Sequence, residues 1–187
     1  MTTSVFTEML TIFHSSEADL PKVLGLFEQV MGNQKNPHYK VWEHIDTDSI
    51  VNDIRSNRQY KLCKNDEIVA VFTVLLSDEL IWQERETHTS VYLHRIVANP
   101  KWKGEKLFAN IVEWVSDYAR SLHRTSIRMD TWADNNKLIE YYKTYGFSVL
   151  DTITTSHSCS LPEQNRGIEV MLLELPIELE NGKNNFH

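Results

Sequence analysis

The stretch that decides the fold runs from Val91 to Phe147. It contains the apolar run VYLHRIVANP (91–100), the basic turn KWKGEKLF (101–108), the strand-like SIRMDT (126–131) and the helix-like NNKLIEYYKTYGF (135–147). A turn between a buried strand and a helix presents backbone N–H groups to an anion, because the first amides of a helix lack intrahelical acceptors. The order therefore predicts an anion-holding strand–turn–helix that is followed by a second strand and a second helix.

Hydrophobic periodicity places the other elements around this stretch. The predicted strands are residues 8–14, 59–63, 67–77, 90–97, 126–131, 148–155 and 169–175, and the predicted helices are residues 18–31, 48–57, 104–122 and 136–145. Segment 77–89 has no clear form. Antiparallel strands before a strand–helix–strand crossover predict an α/β fold with a single mixed, mostly antiparallel sheet and helices on both faces. We expect one domain over residues 1–178 and a disordered tail at 179–187.

Composition excludes several classes of function. No apolar run is long enough to cross a bilayer, and the first residues lack the basic start of a secretion signal. The two cysteines, Cys63 and Cys159, are far apart and lack metal-ligand spacing, so we interpret them as reduced thiols. We therefore expect a cytoplasmic protein with no metal site and no membrane partner.

The charge is distributed unevenly along the chain. The formal net charge is -7, which argues against general affinity for nucleic acid. Residues 95–128 nevertheless carry seven Lys/Arg against three acidic residues, a net of +4, so the remainder carries -11. A basic island in an acidic protein suits a small polyanionic ligand. The alternative is that these lysines only solvate a helix start and its exposed face.

The turn and the later helix together resemble the GNAT superfamily of N-acetyltransferases. Members carry the fingerprint Arg/Gln-x-x-Gly-x-Gly/Ala after their fourth strand, in the fuller form Pro-x-Tyr-Arg-Gly-x-Gly-x-Gly. The fuller form is matched here by Pro100, by the aromatic Trp102, by the basic Lys103 and by Gly104, while Lys106 and Phe108 replace the two later glycines. Members also often show Asn-x-x-Ala-x-x-x-Tyr-x-x-x-Gly-Phe, which this chain matches at Asn135, Tyr142, Gly146 and Phe147, with Leu138 in the place of Ala.

This resemblance implies acetyl-CoA as cosubstrate. The backbone of the fourth strand would bind the pantetheine and polarise the thioester carbonyl, at Ile96, Val97 and Ala98. The turn and helix start would hold the pyrophosphate, with Asn135 as a further contact. The matching positions in that turn are Lys103, Gly104, Glu105, Lys106, Leu107 and Phe108.

The resemblance also implies direct attack by an amine. Tyr142 would protonate the departing thiolate; the alternative is a tyrosine that packs on the sheet. His94 is a candidate general base, because its ordinary pKa suits proton transfer near neutral pH; the alternative is a structural histidine. For Arg128 and Asp130, which share one face of the next strand, we expect a structural ion pair with each other or with neighbours.

Two functions follow from these observations. The first is acetyl-CoA-dependent transfer of an acetyl group to a primary amine of a small molecule or peptide. The second, suggested by the missing glycines, is a GNAT-like module that binds coenzyme A or another ligand without transferase activity. The acidic remainder of the chain favours a cationic acceptor such as a polyamine, an aminoglycoside or a lysine-rich peptide. Because dimerisation is common in the family, a homodimer is one assembly that the resemblance implies.

Overall fold

The computed structural model describes residues 9–33, 44 and 46–179. Its strands are β1 (Leu10–His14), β2 (Gln59–Lys64), β3 (Glu67–Leu75), β4 (Ser90–Ala98), β5 (Ser126–Trp132), β6 (Ser148–Thr154) and β7 (Glu169–Pro176). Its helices are α1 (Leu20–Asn33), α2 (Thr47–Arg55), α3 (Glu79–Trp82), α4 (Leu107–Ser121) and α5 (Asn136–Lys143). The predicted tail lies outside the described residues except for Leu179.

The seven strands form one open sheet in the order β1-β2-β3-β4-β5-β7-β6. The pairs β1–β2, β2–β3, β5–β7 and β6–β7 are antiparallel, whereas β4 and β5 are parallel. The parallel pair is joined through α4, as a crossover between parallel strands requires. These findings confirm the prediction of a mixed, mostly antiparallel α/β sheet.

The described residues divide into two compact units. The first comprises 9–33, 44, 46–74 and 95–111. Its hydrophobic core brings together side chains of α1, α2, β2, β3 and β4, among them Val23, Phe27, Ile50, Ile54, Val71 and Val97. Because Val97 alternates with its neighbours along β4, its side chain is buried while that of Ile96 is half-buried.

The second unit comprises residues 75–94 and 112–179. One of its core clusters contains Ile81, Trp82, Tyr92, Leu161, Val170 and Leu172. In this unit β4 pairs with β5 from Ser90–Ser126 to Tyr92–Arg128. The register pairs end there, although β4 runs on to Ala98 and β5 to Trp132. The prediction of a single domain over residues 1–178 stays a prediction.

Several helix boundaries differ from the predicted ones: α1 begins and ends two residues later, and α2 ends two residues earlier. Two further differences involve glycine. Helix α4 begins at Leu107 rather than at Gly104, because Gly104 has φ +95° and lies in the turn. Helix α5 ends at Lys143 rather than at residue 145, with Thr144 as its C-cap. Gly146, at φ +91°, then turns the chain toward β6.

Segment 77–89, which had no predicted form, contains the short helix α3. Asp78 is its N-cap, and the carboxylate of Asp78 accepts a hydrogen bond from the Ile81 N–H at 3.4 Å. A 3-10 turn at Gln83–Arg85 follows directly. Among the described residues, no helix is both long enough and apolar enough to span a bilayer.

Candidate functional site

In the first unit, the turn after β4 is shaped by its local sequence. The side chain of Asn99 accepts a hydrogen bond from the Lys101 N–H at 3.0 Å, which starts a 3-10 turn at Pro100–Trp102. Proline suits this first position because its φ is already fixed near the helical value. Gly104 then adopts a positive φ with no atom within 4 Å of where a Cβ would be. The glycine is therefore required by the backbone conformation and not by crowding.

Charged side chains fix this turn to the hairpin of β2 and β3. The Lys64 ammonium donates to Glu105 at 2.7 Å and lies 4.4 Å from the centre of the Trp102 ring. The Trp102 indole and the Lys101 ammonium both donate to Glu67, and these bonds lower the pKa of that carboxyl. The turn is thus held by contacts within the first unit before any ligand binds.

The turn presents several donors to an anion. Within the part of the chain that the structure describes, the backbone N–H groups of Gly104, Lys106 and Ala109 have no hydrogen-bond acceptor. The side chains of Lys103 and Lys106 are exposed and make no ion pair there. The side chain of Phe108 is buried, so the residue that replaces the last glycine does not cover the exposed turn. The turn therefore has the donor set that a pyrophosphate needs.

The strand before the turn contains a backbone irregularity. Arg95 adopts φ +48°, which is uncommon for any residue other than glycine, Asn or Asp. Its guanidinium reaches the Asp53 carboxylate at 2.9 Å, and Arg58 reaches the same carboxylate at 3.0 Å. Asp53 is buried, so the two cations compensate a charge that would otherwise be costly. Sequence analysis missed this cluster because its members lie on β4, α2 and the residues before β2.

In the second unit, His94 lies between two carboxylates. Its Nε2 is 3.2 Å from Oδ2 of Asp78, and its Nδ1 is 3.5 Å from Oδ1 of Asp130. The Asp78 side chain is only 9% exposed, and among the described residues its Oδ2 accepts no hydrogen bond. We call these three residues the Asp–His–Asp cluster. An imidazole that faces a carboxylate at each nitrogen can pass a proton in either direction.

The predicted catalytic tyrosine belongs to the same unit. Tyr142 on α5 is buried, with its ring 6.3 Å from that of Phe147. Burial raises the pKa of the Tyr142 phenol, and the nearby Tyr141 and the Asp130 carboxylate raise it further. The Asp130 carboxylate, which lies 3.5 Å from Nδ1 of His94, thus also contributes to the raised pKa of the Tyr142 phenol.

Asn135, the remaining predicted site residue in this unit, has a structural role. It is the N-cap of α5, and its side-chain oxygen accepts a hydrogen bond from the Leu138 N–H at 3.2 Å. This leaves the NH₂ group of Asn135 as its available donor. The role of Asn135 as a contact to coenzyme A stays a prediction.

Glu86 fixes the position of Asp78. Its carboxylate accepts hydrogen bonds from the Asp78 N–H, the His88 N–H and the Tyr92 hydroxyl at 2.6–2.7 Å. The side chain is 3% exposed. Burial alone would raise the pKa of Glu86, but these hydrogen bonds outweigh it and lower the pKa to about 2. Glu86 thus stays ionised and anchors the segment that carries Asp78.

Arg128 and Asp130 bond to neighbours and not to each other in an ion pair. Arg128 donates to Glu174 at 2.7 Å, to the Tyr92 hydroxyl at 3.3 Å and to the Arg85 carbonyl at 2.7 Å. Arg128 is therefore structural, as expected. Asp130 faces His94 and so belongs to the candidate site, where sequence analysis had assigned it only a structural role.

The cluster also bears on metal binding. Asp78, His94 and Asp130 each offer one ligand atom, and these atoms lie within 4.8 Å of one another. The two carboxylates are nearest to different nitrogens of the imidazole, however, whereas an imidazole binds one metal ion through one nitrogen. This geometry suits proton transfer and cation binding better than metal chelation.

Comparison with known proteins identifies the family. The chain belongs to the acetyltransferase (GNAT) family, whose model matches residues 27–147. It is similar to the uncharacterized N-acetyltransferase YesJ of Bacillus subtilis (strain 168), with 26% identity over 109 residues. The match covers 56% of this chain and 61% of that protein, so the chain spans about three fifths of this relative's length.

Solved structures agree with this assignment. A GNAT family acetyltransferase from Streptococcus agalactiae 2603 has a TM-score of 0.71 at 14% identity, covering 90% of this chain and 96% of that chain. The Salmonella typhimurium protein yncA, solved with its cofactor acetyl-CoA, has a TM-score of 0.61 at 13% identity, covering 90% and 94%. At these identities the likeness establishes the fold alone, and it confirms the predicted GNAT-like fold.

Proposed function

We propose that this chain transfers the acetyl group of acetyl-CoA to a primary amine of a small molecule or peptide, by direct attack of the amine. Membership of the acetyltransferase family supports the reaction class. The observation that carries the proposal is the Asp–His–Asp cluster, in which His94 lies 3.2 Å from the Asp78 carboxylate and 3.5 Å from the Asp130 carboxylate. Tyr142, a buried tyrosine of the same unit, is the second proposed catalytic group.

His94 is the proposed proton acceptor. A primary ammonium must lose a proton before its nitrogen can form the new C–N bond. In the proposed reaction His94 takes this proton, and the flanking Asp78 and Asp130 carboxylates orient the imidazole and stabilise its cationic form. The C–S bond of the thioester breaks as the amide forms, and the attacking nitrogen gives up its second proton to the departing sulfur, so that the leaving group ends as the coenzyme A thiol.

Tyr142 is the proposed hydrogen-bond donor to the departing sulfur. Its raised pKa keeps the phenol protonated and lies above the pKa of an ordinary thiol, about 8.5. Complete transfer of the proton to sulfur is therefore uphill, so we propose that Tyr142 acts mainly by stabilising the developing negative charge. Replacement by Phe removes this hydrogen bond with little change in shape.

The turn of the first unit is the proposed holder of the coenzyme A pyrophosphate. Acetyl-CoA supplies the activated acetyl group. The backbone N–H groups of Gly104 and Lys106 would donate to phosphate oxygens, with the Lys103 and Lys106 ammonium groups adding charge. Ile96, Val97 and Ala98 remain the proposed pantetheine edge.

The alternative is a module that binds coenzyme A without transferring the acetyl group. Its motivation is the loss of two glycines, at Lys106 and Phe108. The buried side chain of Phe108 and the exposed side chain of Lys106 weaken that motivation, because neither fills the exposed turn. The cytoplasmic location and the homodimer stay predictions from the sequence.

The test is thiol release from acetyl-CoA in the presence of a panel of primary amines, with the acetylated product detected by mass spectrometry. Wild-type chain should release thiol in step with product, and Tyr142→Phe should lower kcat by on the order of tenfold to a hundredfold. Tyr118→Phe, at a half-buried tyrosine of α4, is the matched control. Calorimetric binding of acetyl-CoA without thiol release from any amine would favour the binding module. Absence of both binding and release would refute both functions.

A further inference from the structure

We propose that Asp53 of α2 is a positioning residue for acetyl transfer. By pairing with Arg95, Asp53 holds the backbone of β4 in the conformation that presents residues 96–98 to the thioester carbonyl. This inference rests on the proposed function and adds a residue that acts only through another residue. It gives a role to a buried ion cluster that the proposed reaction otherwise leaves unused.

The first observation is the backbone of Arg95. Its φ of +48° lies in the left-handed region, which a residue with a Cβ keeps only when its surroundings impose it. Such a residue inside a strand interrupts the regular pleat and redirects the chain after it. The residues that follow are Ile96, Val97 and Ala98, the proposed pantetheine edge. The orientation of that edge therefore depends on what holds Arg95.

The second observation is the set of contacts that Asp53 makes. Its side chain is only 4% exposed, and its two oxygens face different cations. Oδ2 lies 2.9 Å from the Arg95 guanidinium, and Oδ1 lies 3.0 Å from that of Arg58. The Thr73 hydroxyl, on the strand beside β4, lies 3.4 Å from Oδ2. Because a buried carboxylate without a cation is costly, this arrangement restricts where the Arg95 guanidinium can lie.

The third observation is that α2 is itself held in place, so that Asp53 can serve as an anchor. Ile50 of α2 is buried in the same hydrophobic core as Val97 of β4. Burial would raise the pKa of the Asp46 carboxyl, the N-cap of α2, but hydrogen bonds at the helix start and the charge of Arg95 lower it. A carboxylate near each end of α2 thus stabilises the Arg95 cation, and that of Asp53 does so by direct contact.

The most specific readout is the infrared band of an isotope-labelled thioester carbonyl in acetyl-CoA that is bound without an amine. A carbonyl polarised by well-placed N–H groups absorbs at lower frequency, so the band in wild type should lie below that of free acetyl-CoA. In Asp53→Asn the side chain keeps its size but loses its charge, and the downward shift should shrink. Asp48→Asn, at an exposed position of the same helix, is the matched control and should keep the wild-type shift.

Kinetics provide the second readout, because kcat and binding should separate. Asp53→Asn should lower kcat by on the order of tenfold to a hundredfold, as expected when reacting groups are misplaced. The Kd for coenzyme A, measured by calorimetry, should stay near that of wild type, because the contacts of the turn at residues 99–108 do not include Asp53. A merely structural role predicts a lower Tm with wild-type kcat wherever the variant is folded.

A pair of substitutions at Arg95 tests the same inference even if Asp53→Asn does not fold. Arg95→Gly and Arg95→Ala remove the same cation, but glycine adopts a φ near +48° without strain and alanine does not. Arg95→Gly should therefore keep a kcat on the order of tenfold above that of Arg95→Ala. Equal kcat values would show that the backbone conformation of Arg95 is irrelevant and would overturn the inference.

The infrared measurement requires that acetyl-CoA binds but not that the acetyl group is transferred. If amines are acetylated and the carbonyl band is the same in wild type and Asp53→Asn, the inference is wrong and the proposed function stands. If acetyl-CoA binds but no amine is acetylated, the transferase function is wrong, and the carbonyl band still decides whether Asp53 positions β4. If acetyl-CoA does not bind, both are wrong.

Discussion

Two regions of the molecule handle charge in opposite ways: the turn at residues 99–108 in the first unit, and the Asp–His–Asp cluster in the second. In the turn, Lys101–Glu67 is an exposed ion pair, Lys64–Glu105 is a partly buried one, and Lys103 and Lys106 are exposed. Exposed pairs contribute little stability, about 0–1 kcal/mol each, and they can exchange partners easily. A surface of this kind suits a ligand that arrives with several negative charges.

In the Asp–His–Asp cluster, by contrast, the side chains of the two carboxylates are mostly buried. The Glu86 carboxylate anchors the segment that carries Asp78 by accepting hydrogen bonds from the Asp78 N–H, the His88 N–H and the Tyr92 hydroxyl. Buried charges hold their geometry because every lost contact is costly. The difference indicates that the turn is suited to binding an anion, whereas the cluster is suited to moving a proton. Each region can be disabled without the other.

The largest effect should come from the cluster. His94→Gln removes the proposed proton acceptor and should lower kcat by about 10²–10⁴-fold, the usual contribution of a general base. Its Kd for acetyl-CoA, measured by calorimetry, should be unchanged because the turn is intact. His157→Gln, an exposed histidine of the same unit, is the control. A His94→Gln variant with wild-type kcat would remove His94 from the mechanism.

The second-largest effect should be on stability, through Glu86, whose carboxylate holds the segment that carries Asp78. In Glu86→Gln the amide NH₂ must face either the Asp78 N–H or the Tyr92 hydroxyl, so we expect a loss of about 2 kcal/mol in the free energy of unfolding. This corresponds to a fall of about 4–8 °C in Tm for a chain of this length.

The loss of unfolding free energy in Glu86→Gln should become smaller as the pH falls. The folded pKa of about 2 lies below the ordinary 4.5, so the stabilisation by this carboxylate is complete above pH 4.5 and is lost as the pH falls toward 2. The difference in Tm between wild type and variant, followed by thermal denaturation from pH 7 to pH 2, should shrink accordingly. A difference that grew on acidification would contradict the assigned pKa.

The smallest effect should come from the turn. Lys106→Gln keeps the backbone N–H but removes one exposed charge, and it should raise the Kd for coenzyme A by about threefold to tenfold at low salt, less at high salt. Its kcat at saturating acetyl-CoA should match that of wild type. Lys137→Gln on the surface of α5 is the charge-matched control. Equal effects of the two substitutions would show that only the net charge matters.

The sequence predicts the turn and the fold well because both depend on neighbours along the chain. The apolar runs of β2 and β3, the helical spacing in α4 and the glycine after α5 are all local patterns, and each corresponds to an element of the structure. A further local contact is the hydrogen bond of 2.8 Å from the Ser16 N–H to the Asp19 carboxylate, just before α1. The errors at the start of α4 and at the end of α5 lie beside Gly104 and Gly146, where helix boundaries depend on backbone φ.

The cluster could not be predicted in the same way. His94 lies 16 residues after Asp78 and 36 before Asp130 in the sequence, and only the fold brings their side chains together. The N-cap pattern of Asp78 before α3 is a local signal that could have identified the short helix. This N-cap pattern does not predict that Oδ2 of Asp78, the oxygen that does not cap the helix, lies beside His94. Convergence of this kind depends on the strand register and on the hydrogen bonds of Glu86.

The most direct test of the account is a crystal structure of the chain with coenzyme A. We predict that the pyrophosphate oxygens lie within hydrogen-bond distance of the Gly104 and Lys106 N–H groups, with the Lys103 or Lys106 ammonium beside them. This result would show that the turn still binds the cosubstrate with one of its three glycines. Electron density for the pyrophosphate at any other part of the chain would contradict the account. So would a turn whose Gly104 and Lys106 amides face away from the bound pyrophosphate.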